Sequence, residues 1–369
     1  MSQLIERAAL RALATVGGSS EAEPLAVAEP PPEPDPPPEP DPPPDPGPEP
    51  GAPARFAREG GVRWLAAEEF VATRRLYARL EERDVGEIEG MIAEDPELTR
   101  IYGEIPDLGS KNQMVLAFGI WLGHPAVTQK TGLPDQQPPE NVHAMVRGPT
   151  AAAGGAYEAD LVANALASVG VDIAGTRAAL DFGCSSGRVL RVLRAAYPQT
   201  AWYGCDPNST AVAWADQHLP GIEFFVNDDL PPLPLEAASL DLAYAISIWS
   251  HFAPEVGLRW FEEMHRLIAP GGHLVCTTHG FTSIAFYAER SLRTPQQSDE
   301  IAGGLYRRGW WYKPEFGEVG DWGVTNPDWG TAFLSPEWML TQLCPRWRVL
   351  EFAPGRNQDN QDVYVLERV

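Results

Sequence analysis

Residues 180–189 (Leu-Asp-Phe-Gly-Cys-Ser-Ser-Gly-Arg-Val) put a glycine-bearing turn between an apolar strand and an amphipathic helix. Gly183 and Gly187 can adopt backbone angles closed to other residues and carry no side chain, so a ligand can lie against the main chain at a helix N-terminus. Asp181 brings a carboxylate to the same turn. A second acid, Asp206, ends the next apolar run (residues 201–206), at about the spacing where an open α/β sheet places a ribose-binding carboxylate. The turn lacks the Gly-x-Gly-x-x-Gly spacing that brings a pyrophosphate close, because Ser185 holds the middle position and no third glycine follows. A nucleoside without a pyrophosphate is the expected ligand.

Residues 181–187 resemble the first motif of the class I S-adenosylmethionine-dependent methyltransferases, and Asp206 is similar to that family's ribose-binding acid. In family order, residues 227–231 (Asn-Asp-Asp-Leu-Pro) resemble its adenine-side acidic loop, 240–245 its fourth strand, and 267–272 (Leu-Ile-Ala-Pro-Gly-Gly) the turn before its fifth. The resemblance covers roughly residues 155–280. It implies S-adenosylmethionine as cofactor, with Asp181, Gly183, Ser185, Gly187, Asp206, Asn208, Asp228, Asp229 and Ser247 as candidate cofactor-binding residues. Ser247 and Trp249 are expected to line the methyl region.

Alternation of strand and helix begins at Ala178. Strand-like runs at 178–182, 201–205, 222–226, 240–248 and 273–278 are separated by helical stretches such as 211–218 and 255–267, which implies a parallel sheet with right-handed crossovers. Two alternating runs, 347–352 and 363–366, close the chain as a hairpin similar to the antiparallel strands of the methyltransferase sheet. The expected fold class is α/β, a Rossmann-like seven-stranded methyltransferase sheet, mostly parallel. Its domain would span residues 151–369, with an insertion at 281–345. Residues 55–150 read as a helical accessory region, because apolar residues from Trp64 to Ile92 recur near a period of 3.6 and a further helix covers 114–122. The family resemblance implies that this region closes over the methionine end of the cofactor, with Arg147 in the linker and Tyr157 at the start of the next helix as candidates there.

Residues 24–54 alternate proline with acid and offer a core almost nothing to bury, so residues 1–54 read as a disordered, polyproline-biased tail behind a short N-terminal helix. The tail carries much of the net charge of -23, and a polyproline-recognising partner would suit it. No basic stripe is present, so nucleic acid is not an expected partner. Glu6 and Arg7 interrupt the apolar run near the terminus, and no span of about 20 apolar residues could cross a bilayer. The four scattered cysteines lack metal-ligand spacing and fit a reduced, cytoplasmic protein. No metal is expected, and the oligomeric state is left open.

Methyl transfer to a hydroxyl requires alignment and a group to take the proton. His251 follows strand four and His279 follows strand five; His279, beside Gly280, stands slightly ahead as the base, while His251 is equally readable as a helix-start hydrogen-bonding residue. The insertion is rich in rings and polar side chains. Trp310, Trp311, Trp322, Asp328 and Trp329 are candidate substrate-binding residues, by stacking on sugar faces and bonding hydroxyls; the alternative is an aromatic mini-core that holds a long lid together. Together with Ser-Ile-Trp-Ser-His at 247–251 and Asn-Gln-Asp at 360–362, these residues resemble bacterial methyltransferases associated with glycan assembly. The expected function is O-methylation of a sugar or glycan hydroxyl. Methylation of another small natural product, and a non-catalytic binding module that uses the proline-rich tail, are the alternatives.

Overall fold

The computed structural model describes residues 70–105, 108–315, 326 and 328–369. The tail, its polyproline-binding role, the start of the helical region and Trp322 lie outside them.

Short apolar runs bounded by turns form the sheet: β1 (Ala178–Phe182), β2 (Ala201–Asp206), β3 (Ile222–Val226), β4 (Leu240–Ala245) and β5 (Ile268–Thr278), with β8 (Trp347–Asn357) and β9 (Gln361–Arg368) from the end of the chain. Seven strands pair in the order β3-β2-β1-β4-β5-β9-β8. β1 to β5 run parallel, and the β8–β9 hairpin is antiparallel to its neighbours. The expected mostly parallel seven-stranded sheet with its terminal hairpin is thus the observed one. Strand order reverses at β1 and β4, so the crevice opens at their C-terminal ends.

Two strands differ in extent from the sequence reading. β4 stops at Ala245 rather than 248, because the chain turns sharply at Ser247, whose φ of 63° is left-handed. The Ser247 N–H then donates to Thr277 Oγ1 at 2.7 Å instead of continuing the ladder. β5 begins at Ile268, five residues early, and absorbs the Pro-Gly-Gly turn as an irregularity between Leu240 and Leu242 of its partner.

On one face, α1 (Ala72–Tyr77), α2 (Glu82–Glu94), α3 (Pro96–Gly103) and α4 (Leu108–Trp121) pack with α5 (Ala156–Ser168) and α6 (Arg188–Ala196). Leu76, Ile88, Ile92, Leu98 and Phe118 share one core with Ala179, Leu242 and Val275 of the sheet. A buried carboxylate joins this layer to the sheet-bearing part. Asp160 of α5 accepts from the Ala72 and Thr73 backbone N–H groups at 2.7 and 3.0 Å, from Gln113 Nε2 at 2.8 Å, and from the Thr73 hydroxyl. α7 (Ser209–His218) follows β2, and α8 (Pro254–Leu267) covers the opposite face.

The insertion contains α9 (Phe281–Glu289), α10 (Pro295–Arg308), a β6–β7 hairpin (Trp310–Pro314 with Gly330–Leu334) and α11 (Pro336–Leu343). Tyr287, Ile301, Leu305, Trp311 and Phe333 form its own small core. β7 is also stitched to the ends of β4 and β5, through Gly330 N–H to His251 O (2.9 Å), Ala332 N–H to Ser250 O (2.7 Å) and Leu334 N–H to His279 O (2.8 Å). The insertion is therefore anchored over the mouth of the crevice. Among the described residues, no helix is long and apolar enough to cross a membrane.

Candidate active site

At the C-terminal ends of β1, β2 and β4 the chain encloses a cavity of about 270 Å³. Of the candidate cofactor residues, Asp181, Gly183, Ser185, Asp206, Asp228, Asp229 and Ser247 line it. Gly187 and Asn208 do not. Gly187 sits in the left-handed region (φ 74°) and starts α6, while Asn208 caps α7 by accepting from Ala211 N–H at 3.0 Å. Gly187 acts through backbone shape and Asn208 through its side-chain cap, and Asn208 also donates its own N–H to Asp206 Oδ1 at 2.8 Å.

Asp206 is held from both sides, since its Oδ2 accepts the Ser185 N–H at 2.8 Å. A carboxylate has about four acceptor positions, so these two bonds leave room for the hydroxyls of a ribose. Burial raises the Asp206 pKa, and the two backbone donors oppose the rise. Asp181, only 4% exposed, has no hydrogen-bond partner at Oδ2. Burial pushes its carboxyl up to about 7, the Asp206 charge adding to the shift and the Tyr244 hydroxyl opposing it. Gly183 has a φ of 87°, and a Cβ there would fall 2.1 Å from Ile248 Cδ1 in the cavity wall. Its glycine is required by that contact as well as by the turn.

Ser185 occupies the position where glycine is usual, in a left-handed conformation (φ 48°). Its hydroxyl lies 2.6 Å from His143 Nδ1, which draws the linker before α5 over the turn. Burial lowers the His143 pKa to about 4, with Arg147 and Arg188 adding to the effect. His143 was not among the sequence candidates; a lone histidine in a proline-rich linker gave no signal. Also missed were Arg188 and Glu158, which line the cavity as an ion pair at 2.7 Å. Arg147 bonds the carbonyls of Pro138 (2.7 Å) and Val142, so it staples its own loop. Tyr157 supports the β8–β9 turn, its hydroxyl accepting the Gln358 N–H at 3.1 Å.

The structure separates the two imidazoles, in the reverse order to the sequence expectation. His251 lines the cavity, stacked on Trp329 with centroids 4.8 Å apart and planes within 5°. Its Nδ1 faces the Gly330 carbonyl at 2.9 Å; a neutral ring donating there carries its lone pair on Nε2. Burial lowers its pKa to about 4, against the pull of that carbonyl. His279 lies behind the wall, 6% exposed, with Nδ1 3.2 Å from Ala332 O and Nε2 within 3.3 Å of both the Tyr287 hydroxyl and Gln361 Nε2. Burial takes its pKa to about 3. Its two nitrogens are engaged in joining the insertion to β9, because β5 ends one residue earlier and turns the ring inward.

The aromatic candidates separate too. Trp329 lines the cavity. Trp311 is in the insertion's core, its indole N–H donating to Glu300 at 3.0 Å, and Trp310 packs on the sheet-side core beneath the Arg308 guanidinium at 4.7 Å. Asp328 is exposed in the turn before Trp329, and Asn326, buried at the cavity wall, contacts Asp229. Among the described residues no group of His, Cys, Asp and Glu could hold a metal ion.

Residues 179–272 match the family described as "Methyltransferase domain". A curated relative, malonyl-[acyl-carrier protein] O-methyltransferase of Hahella chejuensis, is 27% identical over 100 residues, which cover 27% of this chain and 35% of that relative's length. Similar solved structures include the PH0226 protein of Pyrococcus horikoshii (14% identity, 58% of this chain and 92% of that one, TM-score 0.40). Another is an S-adenosylmethionine-dependent methyltransferase of Mesorhizobium loti (17% identity, 55% and 96%, TM-score 0.38). The residues present fit the cofactor this family implies: Asp206 keeps acceptor positions for a ribose, Asp181 Oδ2 is buried without a partner, and the cavity's carboxylates suit a sulfonium. The sheet order, the turn at 181–187 and the family match at 179–272 agree, and the chain carries a methyltransferase domain built on a Rossmann-like sheet.

Proposed function

We propose that the protein O-methylates a hydroxyl of a sugar or glycan, with His251 taking the hydroxyl proton. The observation that carries this reading is the position of His251 in the cavity wall, flat against Trp329 and fixed by the Gly330 carbonyl. S-adenosylmethionine supplies a methyl group on a sulfonium, whose departure leaves a neutral thioether. What the protein adds is alignment and an acceptor for one proton. His251, uncharged near neutral pH, would be that acceptor, with Trp329 and Asn326 in the same wall. A ring-shaped polyol is the acceptor such a wall suits. The four free thiols, three of them buried, fit a cytoplasmic setting.

The test is incubation of the full chain with methyl-labelled S-adenosylmethionine and a panel of mono- and oligosaccharides, read by mass spectrometry. His251→Ala should lower turnover about 10²- to 10⁴-fold while S-adenosylhomocysteine still binds with unchanged affinity. Full turnover in that variant would remove His251 from the reaction. Label appearing only on non-sugar metabolites would move the acceptor to another small natural product.

A further inference from the structure

We propose that the cavity selects its acceptor by charge: it takes a polyhydroxyl acceptor bearing no negative charge, bound partly through Asn357 Oδ1, and turns away carboxylate- and phosphate-bearing ones. The proposal rests on the methyl-transfer reading and adds the substrate class and a residue that sets it.

The first observation is the charge of the lining. Glu158, Asp206, Asp228 and Asp229 face the cavity, with Asp181 beside them only partly ionised near neutral pH because burial raises it to about 7; among the described residues the one Lys or Arg that lines the cavity is Arg188, paired with Glu158 at 2.7 Å. The lining histidines add no compensating charge near neutral pH, since burial holds His143 and His251 at about 4. A sulfonium is favoured in such a field. An anionic acceptor meets like charge, and among the described residues the one guanidinium in the lining is already taken up by Glu158, although anion recognition ordinarily uses an available cation.

The second observation is independent of charge. Asn357, 8% exposed, lines the cavity, and its Oδ1 has no hydrogen-bond partner. The network behind it fixes which end of the amide is the acceptor. Asn357 Nδ2 donates to Gln361 Oε1 at 3.2 Å, and the same oxygen accepts from Thr277 Oγ1 at 2.7 Å. Gln361 Nε2 lies 2.7 Å from Ser247 Oγ and 3.3 Å from His279 Nε2; His279 Nδ1 faces the Ala332 carbonyl and so carries the ring proton, which leaves Nε2 an acceptor and sets the Gln361 nitrogen toward it. A buried carbonyl oxygen of this kind calls for an O–H or N–H from the ligand. Sugar hydroxyls supply one; a carboxylate or phosphate oxygen at the same place would oppose it lone pair to lone pair.

Two measurements test the proposal on the full chain. Calorimetry on the S-adenosylhomocysteine complex would titrate a neutral methyl glycoside, the matching uronic acid and the matching 6-phosphate. Methyl transfer to the same three probes would be followed by mass spectrometry. The neutral glycoside should bind and be methylated, with kcat/KM at least about 100-fold above either anionic probe. Asn357→Leu should raise KM for the glycoside about tenfold or more, with kcat little changed and S-adenosylhomocysteine affinity unchanged. Equal or tighter binding of the anionic probes, or no binding of the glycoside, would overturn the charge selection whether or not methyl transfer occurs. Failure of S-adenosylhomocysteine itself to bind would overturn the cofactor reading beneath it.

Discussion

Asp181→Asn should make the ligand-free protein more stable at pH 8 while weakening its cofactor site. The carboxyl sits 4% exposed beside Asp206 with one oxygen unpartnered, and its pKa is raised from 3.8 to about 7. A rise of about 3 units, at about 1.4 kcal/mol each, opposes the folded state by about 4 kcal/mol once the group is ionised. The sign follows from linkage: with the folded pKa above the unfolded one, the folded state holds the extra proton between pH 3.8 and 7. Stability therefore falls as pH rises through that window, and levels off above it. Asparagine removes this cost but brings an amide whose donors lack good partners, worth about 1–3 kcal/mol against it. The net gain at pH 8 is about 2 kcal/mol, or about 4–8 °C in Tm for a fold of this size. At pH 5, where folded Asp181 is protonated, most of the gain should vanish. Thermal unfolding of both proteins at pH 5, 6.5 and 8 measures it. A variant less stable than wild type at pH 8, with an unchanged pH slope, would refute the assignment of Asp181 as a strained buried charge.

Gly183→Ala should abolish S-adenosylhomocysteine binding and lower stability by about 1–3 kcal/mol, because the new Cβ meets Ile248 at 2.1 Å in a left-handed backbone; calorimetry and thermal scans read the two effects. Asp206→Ala should weaken S-adenosylhomocysteine about 10- to 100-fold, as the ribose loses its partner and the Ser185 and Asn208 N–H groups lose theirs. Asp160→Ala should lower Tm with little change in the ligand affinity of the folded protein, since it leaves the Ala72 and Thr73 N–H groups unpaired far from the cavity; a variant as stable as wild type would show that the helical layer does not depend on that carboxylate. His279→Ala should likewise act on stability, leaving the pH profile of turnover where His251 sets it.

The sheet was legible because its signals are local. Each strand is a short apolar run with a turn at its end, and the 181–187 turn announces itself by two glycines four residues apart. What lay out of reach depends on contacts between distant residues. Ser185 departs from glycine because it meets His143, 42 positions upstream, and the Arg188–Glu158 pair forms only when α5 packs on α6. Equally, the spacing after β4 and β5 makes His251 and His279 look alike; the β7 strand, arriving 79 residues beyond the first and 53 beyond the second, leaves one in the cavity wall and encloses the other. Rings in the insertion share a composition, yet Trp311, within β6, fills a core and Trp329, bridged to Phe252 just before β7, faces the cavity, a distinction set by their places in the fold rather than by residue type.

The central claim is that this cavity holds a methyl-donor nucleoside. Titrating the full chain with S-adenosylhomocysteine and, separately, with NAD, by calorimetry with a thermal scan of each mixture, tests it most directly. S-adenosylhomocysteine should bind at one site and raise Tm by mass action, with NAD producing neither heat nor shift. Binding of NAD with no response to S-adenosylhomocysteine would contradict the account.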